Sequence, residues 1–157
     1  MFTGALAASY YGQPRTTMDV DVVMKVARED LPRLLASLAK AGLQVNEAGV
    51  YTAMKAGYNI LTFKDRRSPH SLDIILSRRR LRRRPGRILG LPTYYQTAEE
   101  LILSKLRMIK VTVEPERAMK DKQDVKSILN FTEVDLKEVR RSADKETTLD
   151  LLEQILK

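Results

Sequence analysis

The chain contains no cysteine and no tryptophan, and it has a single histidine, His70. Without cysteine there can be no disulfide, no thiolate zinc site and no cysteine nucleophile, and cysteine usage says nothing of the redox state around the protein. One imidazole removes any mechanism that needs two. No serine elbow accompanies His70, so a Ser-His-Asp triad is not expected; beside Pro69 in a turn, His70 reads as structural or exposed. Aromatic residues are only 6% of the chain. No apolar run approaches the roughly 20 residues that span a bilayer, and the N-terminal MFTGALAASYYG lacks a basic n-region and a long apolar stretch. These absences predict a cytoplasmic protein with no membrane partner, whose chemistry rests on carboxylates.

What is present suits a folded domain. With 157 residues, 43% hydrophobic and 31% charged, the chain can bury a core and has the balance of a globular protein. The net charge of +8 is unevenly placed: residues 1–95 hold 16 basic and 7 acidic side chains, and residues 96–157 hold 12 and 13. An excess confined to the first part points to a polyanionic ligand there, although a basic excess can equally serve solubility.

The pattern along the chain predicts an α/β (α+β) fold. Residues 5–11, ALAASYY, read as a short helix entered from Gly4 and stopped by Gly12 and Pro14, preceded by a strand stub at residues 1–3. In residues 18–26, MDVDVVMKV, Met18, Val20 and Val22 alternate with Asp19 and Asp21, which is strand spacing with two carboxylates on one face. Residues 29–41 carry Leu31, Leu34, Leu35 and Leu38 at helical spacing, with Gly42 as the stop. A short helix follows at residues 47–56. Residues 58–64 and 71–77 form two strands of a hairpin around the polar turn DRRSPH.

Residues 78–87, RRRLRRRPGR, hold seven arginines and no acid, and their mutual repulsion predicts an exposed loop before a short strand at Ile88 or near residues 93–96. Thr97 and Glu100 have the spacing of a capping box, and Ile102, Leu106 and Ile109 form the apolar face of the helix it opens. Further helices are expected around Val125, Ile128 and Leu129, at residues 135–141, and around Leu149, Leu152 and Leu156. Pro92 and the change of charge set the expected division: an α/β core at residues 1–95 and a helical region at residues 96–157 packed on it.

Asp19 and Asp21 project from one strand face, and Asp73, in SLDIIL, can join them if its strand is a neighbour. Magnesium takes oxygen ligands, keeps several waters and uses only one or two protein carboxylates beside substrate phosphates. Three acids can hold two such ions, one activating the attacking oxygen and one steadying the leaving group. Asp73 can also act as a general base.

The stretch GALAASYYGQPRTTMDVDVVMKV resembles the signature of the DNA polymerase β-like nucleotidyltransferase superfamily, in which a glycine turn and a short helix precede a D-x-D strand. It is most similar to small prokaryotic proteins of the minimal nucleotidyltransferase and AbiEii-type toxin groups, whose G-x-P-R-x-T-x-D-[ILV]-D reads here from Gly12 through Asp21. TAEELILSKL and R-x-x-K-D-x-x-D-V, from Arg117 to Val125, extend the likeness over most of the chain. The resemblance implies a nucleotidyltransferase fold. It implies magnesium, two ions during turnover, at Asp19, Asp21 and Asp73, and a nucleoside triphosphate, with ATP first among them, beside Gly4, Ala5, Arg15, Thr16 and Lys105. The acceptor implied is a hydroxyl of a small molecule, a protein or RNA, and the arginine run tilts this toward a polyanion such as tRNA.

Two departures stand out. The family's turn is Gly-Gly or Gly-Ser, whereas here it is Gly4-Ala5, and residues usually precede the first strand, whereas here Gly4 follows only Met1, Phe2 and Thr3. The first departure opens a second expectation, a catalytically weak or inactive module of a toxin–antitoxin pair; the arginine run opens a third, a basic nucleic-acid binder. No aromatic interleaves that run, so phosphate contact without base stacking is its expected mode. Lysines on amphipathic helices are generally surface residues, so Lys105 and Lys120 carry that reading beside the functional one. Asp121 and Asp124 suit helix-surface pairs, Lys120 with Asp124 among them. Tyr10 and Tyr11 are candidates for base stacking, with at least one expected in the core.

Overall fold

The computed structural model describes every residue except Arg79. Three strands form a mixed sheet in the order β1(Asp19–Met24), β3(Ser71–Leu76), β2(Ile60–Lys64). β1 runs parallel to β3 with Asp21 opposite Asp73, and β2 returns antiparallel to β3 with Thr62 opposite the same residue. A parallel neighbour requires a crossover. It is supplied by a 3-10 turn at Arg28–Asp30, α2(Leu31–Lys40), α3(Glu47–Lys55) and β2 itself.

Strand alternation then divides the two faces of the sheet. Leu61, Phe63 and Ile74 are buried beneath Leu31, Leu35 and Val50 of the two helices, with Val22 and Leu72 packed against them. α2 begins with Pro32 in its first turn, where the missing N–H costs nothing, and ends at Gly42, whose φ of +96° suits a helix stop. Asn46 caps α3 by accepting from the Gly49 amide at 3.0 Å.

A second sheet is the hairpin β4(Arg83–Ile88)–β5(Leu91–Gln96). Residues 1–3 form the expected strand stub, and they join the two sheets. Thr3 N–H donates to Asp21 O at 2.9 Å and Val23 N–H to Met1 O at 2.8 Å on one side; Phe2 N–H donates to Tyr94 O at 2.8 Å and Gln96 N–H to Phe2 O at 2.9 Å on the other. α1(Gly4–Tyr11), α4(Ala98–Val111), α5(Pro115–Phe131), α6(Leu136–Lys145) and α7(Leu149–Leu156) complete the molecule. Their inner faces make a second core around Leu101, Ile102, Leu106, Val125, Ile128, Val139 and Leu152, which also takes in Ala7, Tyr11 and Tyr95. Among the described residues, no helix is long and apolar enough to cross a membrane.

Two local expectations are corrected. The arginine run is not one exposed loop, because from Arg83 onward it is β4, paired along its length with β5. Alternation sends neighbouring guanidinium groups to opposite faces, Arg83 lies 4.1 Å over the Tyr94 ring, and Arg82 is bonded to Glu138 of α6. Pro85, which has no N–H, is tolerated because β4 is an edge strand. Nor does the capping box form. Thr97 precedes α4, but its hydroxyl makes no cap bond and is buried without a partner among the described residues. Glu100 is drawn instead toward Arg82, 3.6 Å away.

Candidate active site

The alternation that turns Val22 and Ile74 toward the core under α2 and α3 directs Asp19, Asp21 and Asp73 to the opposite face, onto the wall of a broad cleft of about 2080 Å³. Each carboxylate is already engaged by a nearby donor. Ser71, opposite Asp19, donates its hydroxyl to Asp19 Oδ1 at 2.7 Å, and Thr62 donates to Asp73 Oδ1 at 2.6 Å. Asp21 accepts from the Ala5 amide in the first turn of α1.

Gly4 makes that last contact possible. Its φ is +58°, and a Cβ placed there would lie 2.0 Å from Asp21 Oδ2, so the carboxylate occupies the space a side chain would need. The turn that the family likeness assigns to triphosphate thus holds Asp21 against its backbone. Burial raises the Asp21 carboxyl above the usual range, and the charges of Asp73 and Asp19 raise it further, while Lys105 opposes them. The charges of Asp19 and Asp73 thus bear on Asp21 across this face.

No three His, Cys, Asp or Glu side chains among the described residues converge tightly enough to make a ready-built metal cage. This donor set fits magnesium bound by one or two carboxylates and completed by water and phosphate oxygens, in place of an all-protein cage. The hydroxyls of Ser71 and Thr62 hold two of the three carboxylates oriented, as outer-shell donors do.

The remaining expected residues, Gly4, Ala5, Arg15, Thr16 and Lys105, line the same cleft. Arg15 and Lys105 are joined through α5. The Arg15 guanidinium makes a two-pronged bond to Asp124, Nε to Oδ1 and Nη2 to Oδ2, both 2.8 Å. Lys105 Nζ reaches Asp121 at 2.9 Å and Asp124 at 2.6 Å. This corrects the surface reading of Lys105 and Asp124, each 5% exposed: Asp124 gives its oxygens to Arg15 and Lys105 and not to Lys120, which is exposed as expected of a surface lysine. Burial alone would push the Asp124 carboxyl up, but the Arg15 bond and the Lys105 charge outweigh it and hold the group below its ordinary value.

Tyr11 is a core residue. Its hydroxyl donates to Gln96 O at 2.8 Å, and burial pushes the phenol to about 12. Tyr10 stacks on Tyr95 with ring centroids 4.0 Å apart, and neither tyrosine of α1 lines the cleft. The aromatics that do are Tyr51 and Tyr58, which sequence reasoning did not select. Ser71 and Thr62 were also missed. Parity was the available signal, since Ser71 lies two residues before Asp73 and Thr62 is its hairpin partner. The floor of the cleft holds a third unselected group: Thr3 donates to Gln96, whose amide nitrogen donates to Ser104 Oγ at 3.1 Å.

No family model and no curated protein matches the chain. Among solved structures it is similar to the crystal structure of an antigenic nucleotidyltransferase-like protein from Paracoccidioides brasiliensis, with a TM-score of 0.65 at 19% identity, over 98% of this chain and 78% of that one. The small mixed sheet with its flanking helices therefore has a nucleotidyltransferase-like α/β fold.

Proposed function

We propose that the cleft transfers a nucleoside monophosphate from a nucleoside triphosphate, ATP being the first to try, to a hydroxyl acceptor, with release of pyrophosphate. The observation that carries this reading is the placement of Asp21 directly opposite Asp73 on parallel neighbours, with Asp19 two residues away, all on the wall of one cleft. Magnesium held by Asp19, Asp21 and Asp73 would supply positive charge to the reacting phosphate oxygens. Asp73, with one oxygen fixed by Thr62, accepts the proton of the acceptor hydroxyl. The acceptor oxygen forms its bond to the α-phosphorus as the bond from that phosphorus to the bridging oxygen breaks, and the electron pair leaves with pyrophosphate. Gly4, Ala5, Arg15, Thr16 and Lys105 form the nucleotide side of the cleft, and the acceptor is a hydroxyl of a small molecule, a protein or RNA.

Pyrophosphate release, or transfer of labelled nucleotide, tests this with magnesium and ATP. Asp19→Ala and Asp21→Ala are each expected to lower the rate about 100-fold or more, the scale of losing a charge-stabilising group. Unchanged activity in both variants would reject the site.

A second reading is favoured by one observation. The Ala5 amide is spent on Asp21, which supports a catalytically weak, minimal-nucleotidyltransferase or AbiEii-type module that works by binding a toxin–antitoxin partner. Calorimetry with ATP and magnesium separates the two. Binding that is lost in the aspartate variants supports the enzyme; no binding, together with a tightly held protein partner, supports the module.

A further inference from the structure

The arginines at residues 78–87 contain no aromatic in chain order, but the fold supplies one. β2 and β3 are antiparallel with Ile60 opposite Ile75, and the Leu76 amide donates to the Asn59 carbonyl at 2.7 Å. Tyr58, just before β2, and Arg78, just after β3, therefore emerge at the same end of the sheet, about 13 Å along the strands from Asp73. Tyr58 lines the cleft together with Tyr51, Arg78 and Arg80. Ile60, two residues on, lines the cleft as well. Tyr58 is 68% exposed at the cleft wall, which leaves its ring accessible.

Like Arg117 and Lys120 of α5, which line the cleft and have no ion pair among the described residues, the cations at this end differ from the ion-paired ones. Arg15, Lys105, Arg82 and Arg107 each have an acidic partner. Arg28, Lys55, Arg78 and Arg80 have no ion pair among the described residues. A mononucleotide donor brings its phosphates to the carboxylates, and it has none to offer to cations so far along the sheet. A polymer has a phosphate at every residue. Stacking further requires a base free of its duplex, since in a helix both faces of the base are already covered.

We infer that this end of the cleft binds single-stranded nucleic acid, with a base stacked on Tyr58 and the flanking phosphates on Arg78 and Arg80. The site does not depend on the transferase reading, and a binding measurement tests it without reference to transfer.

The experiment is fluorescence anisotropy of a labelled 10-nucleotide single-stranded RNA, titrated with the full chain at several salt concentrations. Tyr58→Ala is expected to weaken binding about tenfold or more, and Tyr58→Phe, which keeps the ring, to leave it within about twofold. Arg78→Gln with Arg80→Gln should reduce the slope of log affinity against log salt by about 1.4, the value for two phosphate contacts on a single strand. A duplex of the same sequence should bind without any effect of Tyr58→Ala. The inference is overturned if Tyr58→Ala leaves single-strand affinity unchanged, or if the salt slope does not move in the arginine variant. It is equally overturned if calorimetry shows that Tyr58→Ala weakens ATP binding alone, because the ring would then belong to the donor base.

Discussion

Gly4 concentrates the residue-scale argument. Two constraints meet there, a left-handed backbone and a carboxylate occupying the place of a Cβ. Gly4→Ala is expected to cost about 1–2 kcal/mol for the backbone alone, and to drive Asp21 out of line with Asp73. Activity should therefore fall much further than stability. Thermal melts beside transfer assays check this, with Gly42→Ala as control, because that glycine also has positive φ but open space around it. A Gly4→Ala protein that melted lower yet transferred at the normal rate would show that the contact with Asp21 is dispensable.

At the scale of elements, the β4–β5 hairpin shows how local geometry overrides charge. Its two-residue turn places Leu89 at φ 48° and Gly90 at φ 79°, the signs of a type I′ turn, whose twist matches that of the strands. Leucine tolerates that conformation poorly, and at 97% exposure its side chain gains nothing by packing. Asparagine tolerates it well. Leu89→Asn is thus expected to stabilise the protein by about 0.5–1 kcal/mol and to raise the melting temperature by about 1–4 °C, readable by circular dichroism. A lowered melting temperature would mean that the turn is not of this type in solution.

Across the whole molecule, the core beneath α2 and α3 and the helical core are linked by residues 1–3 and by the cluster of Arg15, Lys105, Asp121 and Asp124. Asp124 binds both cations and is held below its ordinary value. Its contribution to stability is consequently present in full above about pH 4, the ordinary carboxyl range, and is lost as pH falls through the lowered value. Asp124→Asn should cost about 3 kcal/mol, because Arg15 loses its carboxylate and buried Lys105 keeps only Asp121. It should also flatten the acid limb of the stability profile. Urea melts at pH 7 and at pH 3 measure both effects; an acid limb as steep in Asp124→Asn as in the parent would assign acid sensitivity to other carboxylates.

Strand alternation at residues 18–26 and 71–77, the leucine spacing of α2 and the stop at Gly42 were readable from the chain, because periods of two and 3.6 residues are set by local backbone geometry. That Asp19, Asp21 and Asp73 share one face of the sheet was readable for the same reason, once the two strands are taken as neighbours. Only the tertiary structure decided that Lys105 and Asp124 are buried partners, that half of the arginine run pairs as an edge strand, and that Tyr58 and Arg78 share one end of the sheet. Those outcomes depend on which distant segments meet, and on the cost of desolvating a charge that lacks an opposite charge nearby, and neither is written in the local pattern of residues.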